Sequence, residues 1–552
     1  MRQSTGDDSE LLRWSHWDVS ELKGKQARIR IFDRHRAGWG HINVDQIVFA
    51  DVPRSGVDPT RLRAYRASAE YLDEPFRPQF HFTPEINWMN DPNGLVFFAG
   101  EYHLFFQYNP FGNEWGHMSW GHAVSRDLVH WEHLPLALAE EDGTMIFSGC
   151  AVVDWKNTSG FGRGGIPPMV AIYTGHRSNN QSQHVAFSLD RGRTWTKFAG
   201  NPVIDIGEKD FRDPKVFWHE ATKRWIMVVA LAVAKKVQFY SSPDLKTWTL
   251  QSAFGPAGVE SKSNWECPDL FELPIEGSEE TCWVLEVDMG QGAIAGGSGG
   301  EYFVGDFDGN QFTPKAGDGD AKWVDFGRDF YAPASWSDIP DDDGRRIWIG
   351  WMNNWETCLL PTSPWRSAMS VPRVLSLRRR EDRLVLVQRP IRELQRLRKD
   401  SLVRLSDETV ARSRELQMTH DGLLEIVAEF KPRSSRTFGL RVAVGANEST
   451  TIGFNLESNE LFVDRSRSGD VGFHPRFAGR HAAPIAMRDG VYRIRVLLDR
   501  SSVEVFGQDG ECVLTERIFP SPSSRGVEVF AENGDVLVQS LQVWRLRSIW
   551  KR

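Results

Sequence analysis

The chain has 552 residues, which is too long for a single hydrophobic core, so two or three domains are expected. With 40% hydrophobic and 25% charged residues, the composition excludes a disordered protein and a membrane protein. The net charge of -8 is spread over both signs along the chain, so neither a nucleic acid nor an anionic membrane is predicted as a partner.

Two features of the sequence concern the cellular location of the protein, namely its cysteines and its N-terminal residues. The five cysteines are an odd number without a C-x-x-C pair, which excludes a disulfide framework and a zinc site. The opening MRQSTGDDSELLRW lacks a basic stretch followed by an apolar core, so no signal peptide is predicted there. No apolar run reaches the roughly 18 residues of a membrane span. We expect an extracellular or periplasmic location if the N-terminus is incomplete, and a cytoplasmic one otherwise.

The N-terminal part of the chain is predicted to stand apart from the rest. Residues 1–52 contain two strand-like runs, QARIRIFD and INVDQIVFAD, and are predicted to be part of a β-rich module. Fifty residues with two or three strands bury too little surface to form a core alone. Residues 53–76, which begin close to DVPRSGVDPT, are predicted to be a linker.

Strand signals dominate the remainder of the chain. EYHLFFQY (101–108), RWIMVVALAV (224–233) and RRIWIGWM (345–352) are short apolar or alternating runs bounded by turn residues. The best helix candidate is the short segment RPIRELQRL (389–397). The sequence therefore predicts an all-β protein.

A loose repeat of Ser, Asp and Trp lies inside residues 80–360, in the part of the chain, residues 77–375, that is predicted to form one domain. It occurs in SRDLVHWEHL, SLDRGRTWTKF and SSPDLKTWTL, and GDFDGNQFTP (305–314) is a degenerate copy. The tryptophans of the three copies, 131, 195 and 248, are 64 and 53 residues apart. A hairpin unit that recurs at this spacing predicts a five-bladed β-propeller, which gathers loops from every blade at one end of its axis.

The composition and the pattern of strands change after residue 375, where the predicted propeller ends. Residues 376–399 are highly charged and are predicted to be a connector. Residues 400–552 contain many short strands, among them YRIRVLLD and GVEVFAEN, with turn signals such as QDGE and ENGD between them. This pattern predicts a C-terminal β-sandwich.

Three acidic residues stand beside prolines at the start of apolar runs. Asp91 lies in NDPNG, Asp213 in DFRDPKVF and Glu266 in NWECPDLF. By itself NDPNG predicts a tight turn before a strand. From three blades, however, these acids can meet in one pocket, and a pair of carboxyl groups is what glycoside cleavage requires. The third acid can hold sugar hydroxyls, and we expect Arg212 to position it.

The 22 tryptophans favour the same interpretation, because the amphipathic indole ring packs on sugar rings as well as in cores.

Taken together, the motifs resemble the invertase, levanase and inulinase enzymes of glycoside hydrolase family 32. The resemblance covers about residues 77–545 and rests on WMNDPNG, FFQYNPFGNEWG, SWGHAVSRDLVHWEHLPLAL, FSGCAVVD, FRDPKVF, WECPDLF, AGGSGGEYFVGDFDG, IGWMNNW and LLDRSSVEVFGQDG, in this order. It implies a five-bladed propeller followed by a β-sandwich, in agreement with the pattern of strands.

The resemblance also implies retaining hydrolysis that releases fructose from β-fructofuranosides such as levan, inulin or sucrose, by exo action. It implies that Asp91 is the nucleophile that forms a fructosyl-enzyme, Glu266 the general acid/base and Asp213 the stabiliser of the transition state. It further implies a fructose subsite formed by Asn90, Gln107, Trp115, Phe147, Ser148, Arg212 and Trp355. FSGC departs from the expected FSGS at Cys150, but Ser148 is kept and little effect on the chemistry is expected.

No metal and no cofactor is predicted. The acids of DIPDDDG (338–344) lack the ligand spacing of a calcium loop, and GQGAIAGGSGG (290–300) lacks the strand and helix of a dinucleotide site.

Several alternatives stay open on the sequence. A fructosyltransferase would use the same acids, an inactive fructan-binding protein would keep the pocket, and an arabinanase shares the propeller and three acids. The sequence leaves open chain-length preference, β-2,1 or β-2,6 linkage, exo or endo action, and oligomeric state.

Overall fold

The computed structural model describes residues 57–259, 263–315, 322–381 and 383–550, together with residues 19, 22–26 and 28–31. The chain divides into two units, Met1–Gly56 and Val57–Arg552. Of the strands predicted in the first unit, INVDQIVFAD lies outside the described residues and QARIRIFD lies partly outside them. Within the described ranges, no helix is both long enough and apolar enough to cross a bilayer.

Five antiparallel sheets confirm the predicted propeller. In each of the first four blades, consecutive strands are neighbours, so every one of these blades is a meander. The first three blades consist of β1 Asn87–Phe98, β2 Glu101–Tyr108, β3 Ser119–Ser125 and β4 Trp131–Leu138; β5 Met145–Val153, β6 Met169–Arg177, β7 Asn180–Ser188 and β8 Thr196–Lys197; and β9 Phe211–His219, β10 Arg224–Leu231, β11 Lys236–Ser242 and β12 Thr249–Phe254.

The fourth and fifth blades complete the ring. They consist of β13 Trp265–Pro274, β14 Thr281–Met289, β15 Gly299–Phe307, β16 Phe312–Pro314 and β17 Lys322–Trp323; and of β18 Tyr331–Ser335, β19 Arg346–Trp351, β21 Arg373–Arg380 and β22 Arg383–Pro390. The short strand β20, Trp365–Arg366, leaves the fifth blade and pairs in parallel with β1. This pairing ties the last blade to the first.

The repeated Ser and Asp residues form the same turn in successive blades. Between the third and fourth strands of the first three blades, a Ser hydroxyl donates to the Asp two residues later; the pairs are Ser125–Asp127, Ser188–Asp190 and Ser242–Asp244. The Asp carboxylate then accepts backbone N–H groups of the turn. In the degenerate fourth copy, Asp308 accepts the N–H groups of Asn310 and Gln311. The sequence repeat is therefore a repeat of turn chemistry.

A two-layered sandwich comes after the propeller. Its strands are β23 Arg398–Glu415, β24 Leu424–Pro432, β25 Thr437–Val444, β26 Ser449–Asn455, β27 Glu460–Arg467, β28 Arg480–Pro484, β29 Tyr492–Asp499, β30 Ser502–Gly507, β31 Cys512–Arg517 and β32 Gly526–Leu546. The long strand β32 pairs with β25 along its first part and with β24 along its second, so it belongs to both layers. Inward-facing residues of the two layers, such as Ile426, Phe438 and Val505, form one apolar core.

Helical structure is sparse. The segment predicted as a connector contains β22 and a 3-10 helix, Arg392–Leu397, close to the helix candidate of the sequence. The segment predicted as a linker contains the one α-helix in the described part of the chain, Pro59–Arg66. Asp58 caps this helix by accepting the N–H of Thr60 at 2.8 Å, and Pro59 occupies the first turn. The helix buries none of its residues, so it lacks the apolar stripe by which helices are predicted.

Buried charges join propeller and sandwich. His81 of the propeller is 1% exposed, and its two ring nitrogens lie 2.8 Å from Asp499 Oδ2 and 2.9 Å from Glu504 Oε1 of the sandwich. Glu504 also accepts Arg373 Nη2 at 2.6 Å. Such pairing offsets the cost of burying these charges.

Candidate active site

The inner strands of all five blades bring their first residues to one end of the propeller axis. One pocket there is lined by all ten residues predicted for the site: Asn90, Asp91, Gln107, Trp115, Phe147, Ser148, Arg212, Asp213, Glu266 and Trp355. Two further residues, Cys267 and Tyr331, complete the lining. The space between these residues has a volume of about 510 Å³ when the solvent at its open mouth is included.

The segment around Asp91 is part of a strand and does not form the turn that NDPNG predicts by itself. Asp91 is an internal residue of β1, and the pairing of β1 with β2 shifts register between Met89 and Pro92 and again after Asn93. Gly94 has φ 54°, and a Cβ there would lie 2.5 Å from the ring of Phe105. The turn-forming residues therefore make β-bulges, which re-aim a side chain without ending the strand.

The same device recurs in every inner strand. Register shifts fall at Met89/Pro92 in β1, Ile146/Gly149 in β5, Val228/Ala230 opposite β9, Glu266/Asp269 in β13 and Tyr331/Ala334 in β18. Four of these strands carry a proline at the shift: Pro92, Pro214, Pro268 and Pro333. Proline cannot donate to the ladder and within sheets is confined to edge strands, first residues and bulges; these inner strands are the edges of their blades at the prolines. The acid-and-proline motifs thus mark the places where the strands turn residues into the pocket.

Asp91 is held by two neutral donors. Ser148 Oγ donates to Asp91 Oδ2 at 2.6 Å, and Asn90 Nδ2 donates to Oδ1 at 3.1 Å. Asn90 is oriented in turn by Trp88 Nε1, which donates to its Oδ1 at 2.7 Å. Burial raises the pKa of Asp91, the two donors lower it, and the negative charge of Glu266 raises it further. The carboxylate oxygens consequently have fixed directions.

Asp213 lies beside Asp91 and is also buried. Its Oδ2 accepts the backbone N–H of Cys267 at 3.0 Å, and its own N–H is donated to Thr174 Oγ1. Cys267 Sγ is 3.7 Å from Asp91 Oδ2 and 3.6 Å from Asp213 Oδ2, so both carboxyl groups contact one sulfur atom. Burial raises the pKa of Asp213 to about 7, although the charge of Arg212 opposes this rise.

Glu266 is held by a cation and a phenol. Arg212 Nη2 and Nε donate to its Oε1 at 2.7 and 3.1 Å, and Tyr331 Oη donates to Oε2. The Glu266 side chain is 23% exposed, against 7% for that of Asp213. Of the three acids, Glu266 therefore has the carboxyl group placed to meet a leaving group at the pocket mouth.

The expected partner of Arg212 was wrong. The sequence suggested that Arg212 positions Asp213, but its Nε is 3.8 Å from Asp213 Oδ2, beyond hydrogen-bond distance. The guanidinium extends to the next blade and binds Glu266 there. Gln181 Oε1 accepts Arg212 Nη1 at 3.1 Å and holds it in this direction.

Aromatic rings form the walls of the pocket. Trp355, from the 3-10 helix Trp355–Thr357, stacks on Trp88 with ring centroids 6.1 Å apart and contacts Trp351. On the other side, Trp115 meets Phe147 edge to face at 6.1 Å, and 42% of Trp115 is exposed at the mouth. Gln107 donates its Nε2 to the carbonyl of Ile146, which leaves the side-chain oxygen directed at the pocket as an acceptor.

The two lining residues that were not predicted share a signal with those that were. Cys267 precedes Pro268 and Tyr331 stands two residues before Pro333, so both lie at a strand bulge marked by proline. Applying the proline pattern to DFYAPASW, the fourth such segment, would have found Tyr331.

Comparison with known proteins agrees with this geometry. A model of the Glycosyl hydrolases family 32 N-terminal domain matches residues 81–390, and one of the family 32 C-terminal domain matches residues 393–545. The chain belongs to glycosyl hydrolase family 32. Among its relatives in the family, levanase of Bacillus subtilis (strain 168) is 51% identical over 491 residues, which cover 88% of this chain and 72% of the levanase. The extracellular exo-inulinase inuE of Aspergillus niger is 40% identical over 523 residues, which cover 88% of this chain and 97% of the relative.

Solved structures of family 32 members share the fold. The exo-inulinase of Aspergillus awamori superposes with a TM-score of 0.83 at 39% identity and covers 87% of this chain and 100% of its own. The fructofuranosidase of Schwanniomyces occidentalis complexed with fructose gives a TM-score of 0.81 at 34% identity, with 87% and 100% covered.

Proposed function

We propose that this family 32 enzyme is a retaining β-fructofuranosidase that releases terminal fructose from fructans by exo action. The observation that carries the proposal is the convergence of Asp91, Asp213 and Glu266, from three different blades, in one pocket. The relatives named levanase and exo-inulinase support the choice of a fructan as the substrate.

Burial and position support different roles for the two reacting acids. Asp91 is buried and accepts neutral donors on both oxygens, which fixes the direction of its carboxyl group, as a nucleophile requires. Glu266 is the more exposed acid and has an oxygen held by the Tyr331 hydroxyl. We assign Asp91 as the nucleophile and Glu266 as the general acid/base.

The reaction then proceeds in two displacements. In the first, an Asp91 oxygen forms a bond to the anomeric carbon of fructose, the glycosidic C–O bond breaks, and Glu266 gives its proton to the departing oxygen. In the second, Glu266 takes a proton from water, the water oxygen attacks the same carbon, and the bond to Asp91 breaks. Free fructose leaves and both carboxyl groups return to their initial states.

Asp213 supports the transition state without bonding to it. Its Oδ2 is occupied by the Cys267 N–H, and Oδ1 remains available for fructose hydroxyls. Hydrogen bonds from hydroxyls that strengthen as positive charge develops on the ring stabilise the transition state by several kcal/mol in such enzymes. Asn90, Gln107 and Arg212 offer further polar groups to the same ring, and Trp115, Phe147 and Trp355 offer apolar walls.

The shape of the pocket supports exo action. Residues from all five blades surround the acids, and Trp115 and Trp355 close two sides of the mouth. A pocket of this kind admits the end of a chain, whereas internal cleavage requires a groove open at both ends. The proposed partner is therefore a carbohydrate with a terminal β-fructofuranosyl unit.

Product analysis tests the proposal. The purified protein is incubated with sucrose, inulin and levan, and the products are followed by chromatography over time. Free fructose that rises alone from a polymer is the expected result, and the relative rates rank the β-2,1 and β-2,6 linkages. Early release of oligosaccharides would instead indicate internal cleavage, and transfer products at high substrate concentration would indicate a fructosyltransferase.

A matched pair of variants tests the assignment of Asp91. Asp91→Asn keeps the shape of the side chain and removes the nucleophile, so turnover should fall by about four orders of magnitude or more while the fold is kept. Asp407→Asn, on the exposed edge of the sandwich, is the control and should keep full activity. Substantial turnover by Asp91→Asn would remove Asp91 from this role.

A further inference from the structure

Two carboxyl groups that no motif singled out lie directly behind Glu266. Asp288 on β14 is the cross-strand partner of Glu266 on β13, and Glu286 lies two residues earlier on the same face of β14. Both side chains are fully buried, at 0% exposure.

The two carboxyl groups converge over a glycine. Gly300 on β15 is the cross-strand partner of Asp288. A Cβ at Gly300 would lie 2.7 Å from Glu286 Oε1 and 2.8 Å from Asp288 Oδ1. The missing side chain thus leaves the space into which both carboxyl groups extend.

This pair is buried without a cation. Within the described part of the chain, none of its four oxygens has a hydrogen-bond partner of normal geometry or takes part in a salt bridge. By contrast, the buried Glu504 is paired with Arg373 at 2.6 Å. Two adjacent carboxylates without such a partner cannot both be ionised in a low-dielectric interior. Burial raises the pKa of Glu286 and of Asp288, and the charge of Asp288 raises that of Glu286 further; the nearby Ala332 N–H opposes the rise at Asp288 without offsetting it.

The groups that face this pair are mostly acidic. Asp288 interacts electrostatically with the three acids of the pocket and with Tyr331 and Cys267, and Glu286 interacts with Asp269 and Glu301. The positive charges described close to these acids are Arg212, which is bound to Glu266, and Lys215, which is bound to Asp269, the cross-strand partner of Glu286. In the described part of the chain neither cation forms a salt bridge with Glu286 or Asp288, so a negative charge on the pair still acts on the reacting acids.

We propose that Glu286 and Asp288 share a single proton and that Asp288 is a positioning residue, through which the remaining negative charge of the pair keeps the proton on Glu266 until the leaving group takes it. This role rests on the proposed function, because it acts through the general acid of that reaction. It gives a physical reason for placing two unneutralised acids in the interior of the blade.

Two isosteric variants should move the pH profile in opposite directions. In Asp288→Asn the negative charge of the pair can lie only on Glu286, which is farther from Glu266. It then raises the pKa values of the reacting acids less, so both limbs of the kcat/KM profile should move to lower pH by about half to one unit. Glu286→Gln confines the charge to Asp288, so the limbs should move to higher pH. Asp407→Asn is the control: it removes one carboxyl charge at an exposed residue of the sandwich, so the limbs should not move.

Infrared spectroscopy supplies a readout independent of activity. The wild-type protein at neutral pH should show the carbonyl band of one more protonated carboxyl group than Glu286→Gln, which loses the shared proton. Because the infrared comparison uses only the wild-type protein and Glu286→Gln, it tests the shared proton even if Asp288→Asn fails to fold.

The outcomes separate the two proposals. An active wild-type enzyme whose limbs stay in place in both variants, or move in the same direction, overturns the role of Asp288, as does an unchanged infrared band. A wild-type protein that releases no fructose from any fructan overturns the proposed function itself.

Discussion

Replacing Asp213 by Asn should stabilise the protein while it impairs the chemistry. Burial raises the pKa of Asp213 from the ordinary 3.8 to about 7. The unfolded chain therefore holds fewer protons than the folded protein between these values, and stability falls as the pH rises from about 4 to about 7. Asn carries no charge, so the variant avoids this loss.

The size of the effect follows from the two pKa values. Each unit of difference corresponds to about 1.4 kcal/mol. The variant should gain about 1.5 kcal/mol in the free energy of unfolding at pH 5 and up to about 4 kcal/mol at pH 8, relative to wild type. The backbone does not oppose the change, because Asp213 has φ 65° and Asn tolerates this left-handed region as well as Asp does.

Urea-unfolding curves at pH 5 and pH 8 measure this gain. The control is Asp407→Asn, which makes the same substitution at an exposed residue with φ 52°, and it should leave the free energy of unfolding unchanged within about 0.5 kcal/mol at both pH values. A gain for Asp213→Asn that does not grow with pH, or a loss of stability at pH 8, would refute the reasoning. Either result would mean that ionisation of the buried Asp213 carboxyl group does not lower the free energy of unfolding.

Two further changes have defined outcomes. Tyr331→Phe removes the hydroxyl that donates to Glu266, so kcat should fall by about tenfold with KM changed less, as steady-state kinetics on a fructan would show. His81→Gln breaks the contacts to Asp499 and Glu504 at the junction of propeller and sandwich. These two acids raise the pKa of His81 against the effect of burial. Its contribution is therefore fully present below about pH 6.5 and lost as the pH rises through the raised value. Thermal unfolding should show a larger loss for His81→Gln at pH 6 than at pH 9, and an equal loss at both would contradict a charged His81.

Local patterns were sufficient to predict several strands. The predicted strand at 101–108 coincides with β2, and those at 224–233 and 345–352 contain β10 and β19. These runs are apolar or alternating and end at turn residues, and both properties are carried by neighbouring residues alone. The helix Pro59–Arg66 was missed for the same reason: its signal lies in the cap at Asp58, whereas its exposed face has no apolar stripe.

The composition of the pocket was also predictable, but its internal pairing was not. Asp91, Asp213 and Glu266 are marked by the prolines beside them, because each strand must bulge to turn its acid inward. No such mark shows that Arg212 binds Glu266 on the neighbouring blade, or that Tyr331 binds the same acid from the fifth. These contacts join residues 54 and 65 positions apart, and they depend on the closure of the ring.

By itself the sequence therefore determined the all-β class, the propeller with its sandwich, and the acids that meet at the axis. The physical reason is that these features depend on residues close together in the sequence. They are the periodicity of the strands, the residue types of the turns and the prolines at the bulges. Only the tertiary structure decided which partner each buried charge has: His81 lies between two acids, whereas Asp288 has no salt bridge to any of the described residues. Electrostatic energies in the interior depend on distance and on exclusion of water, and both are set by how the blades pack against one another.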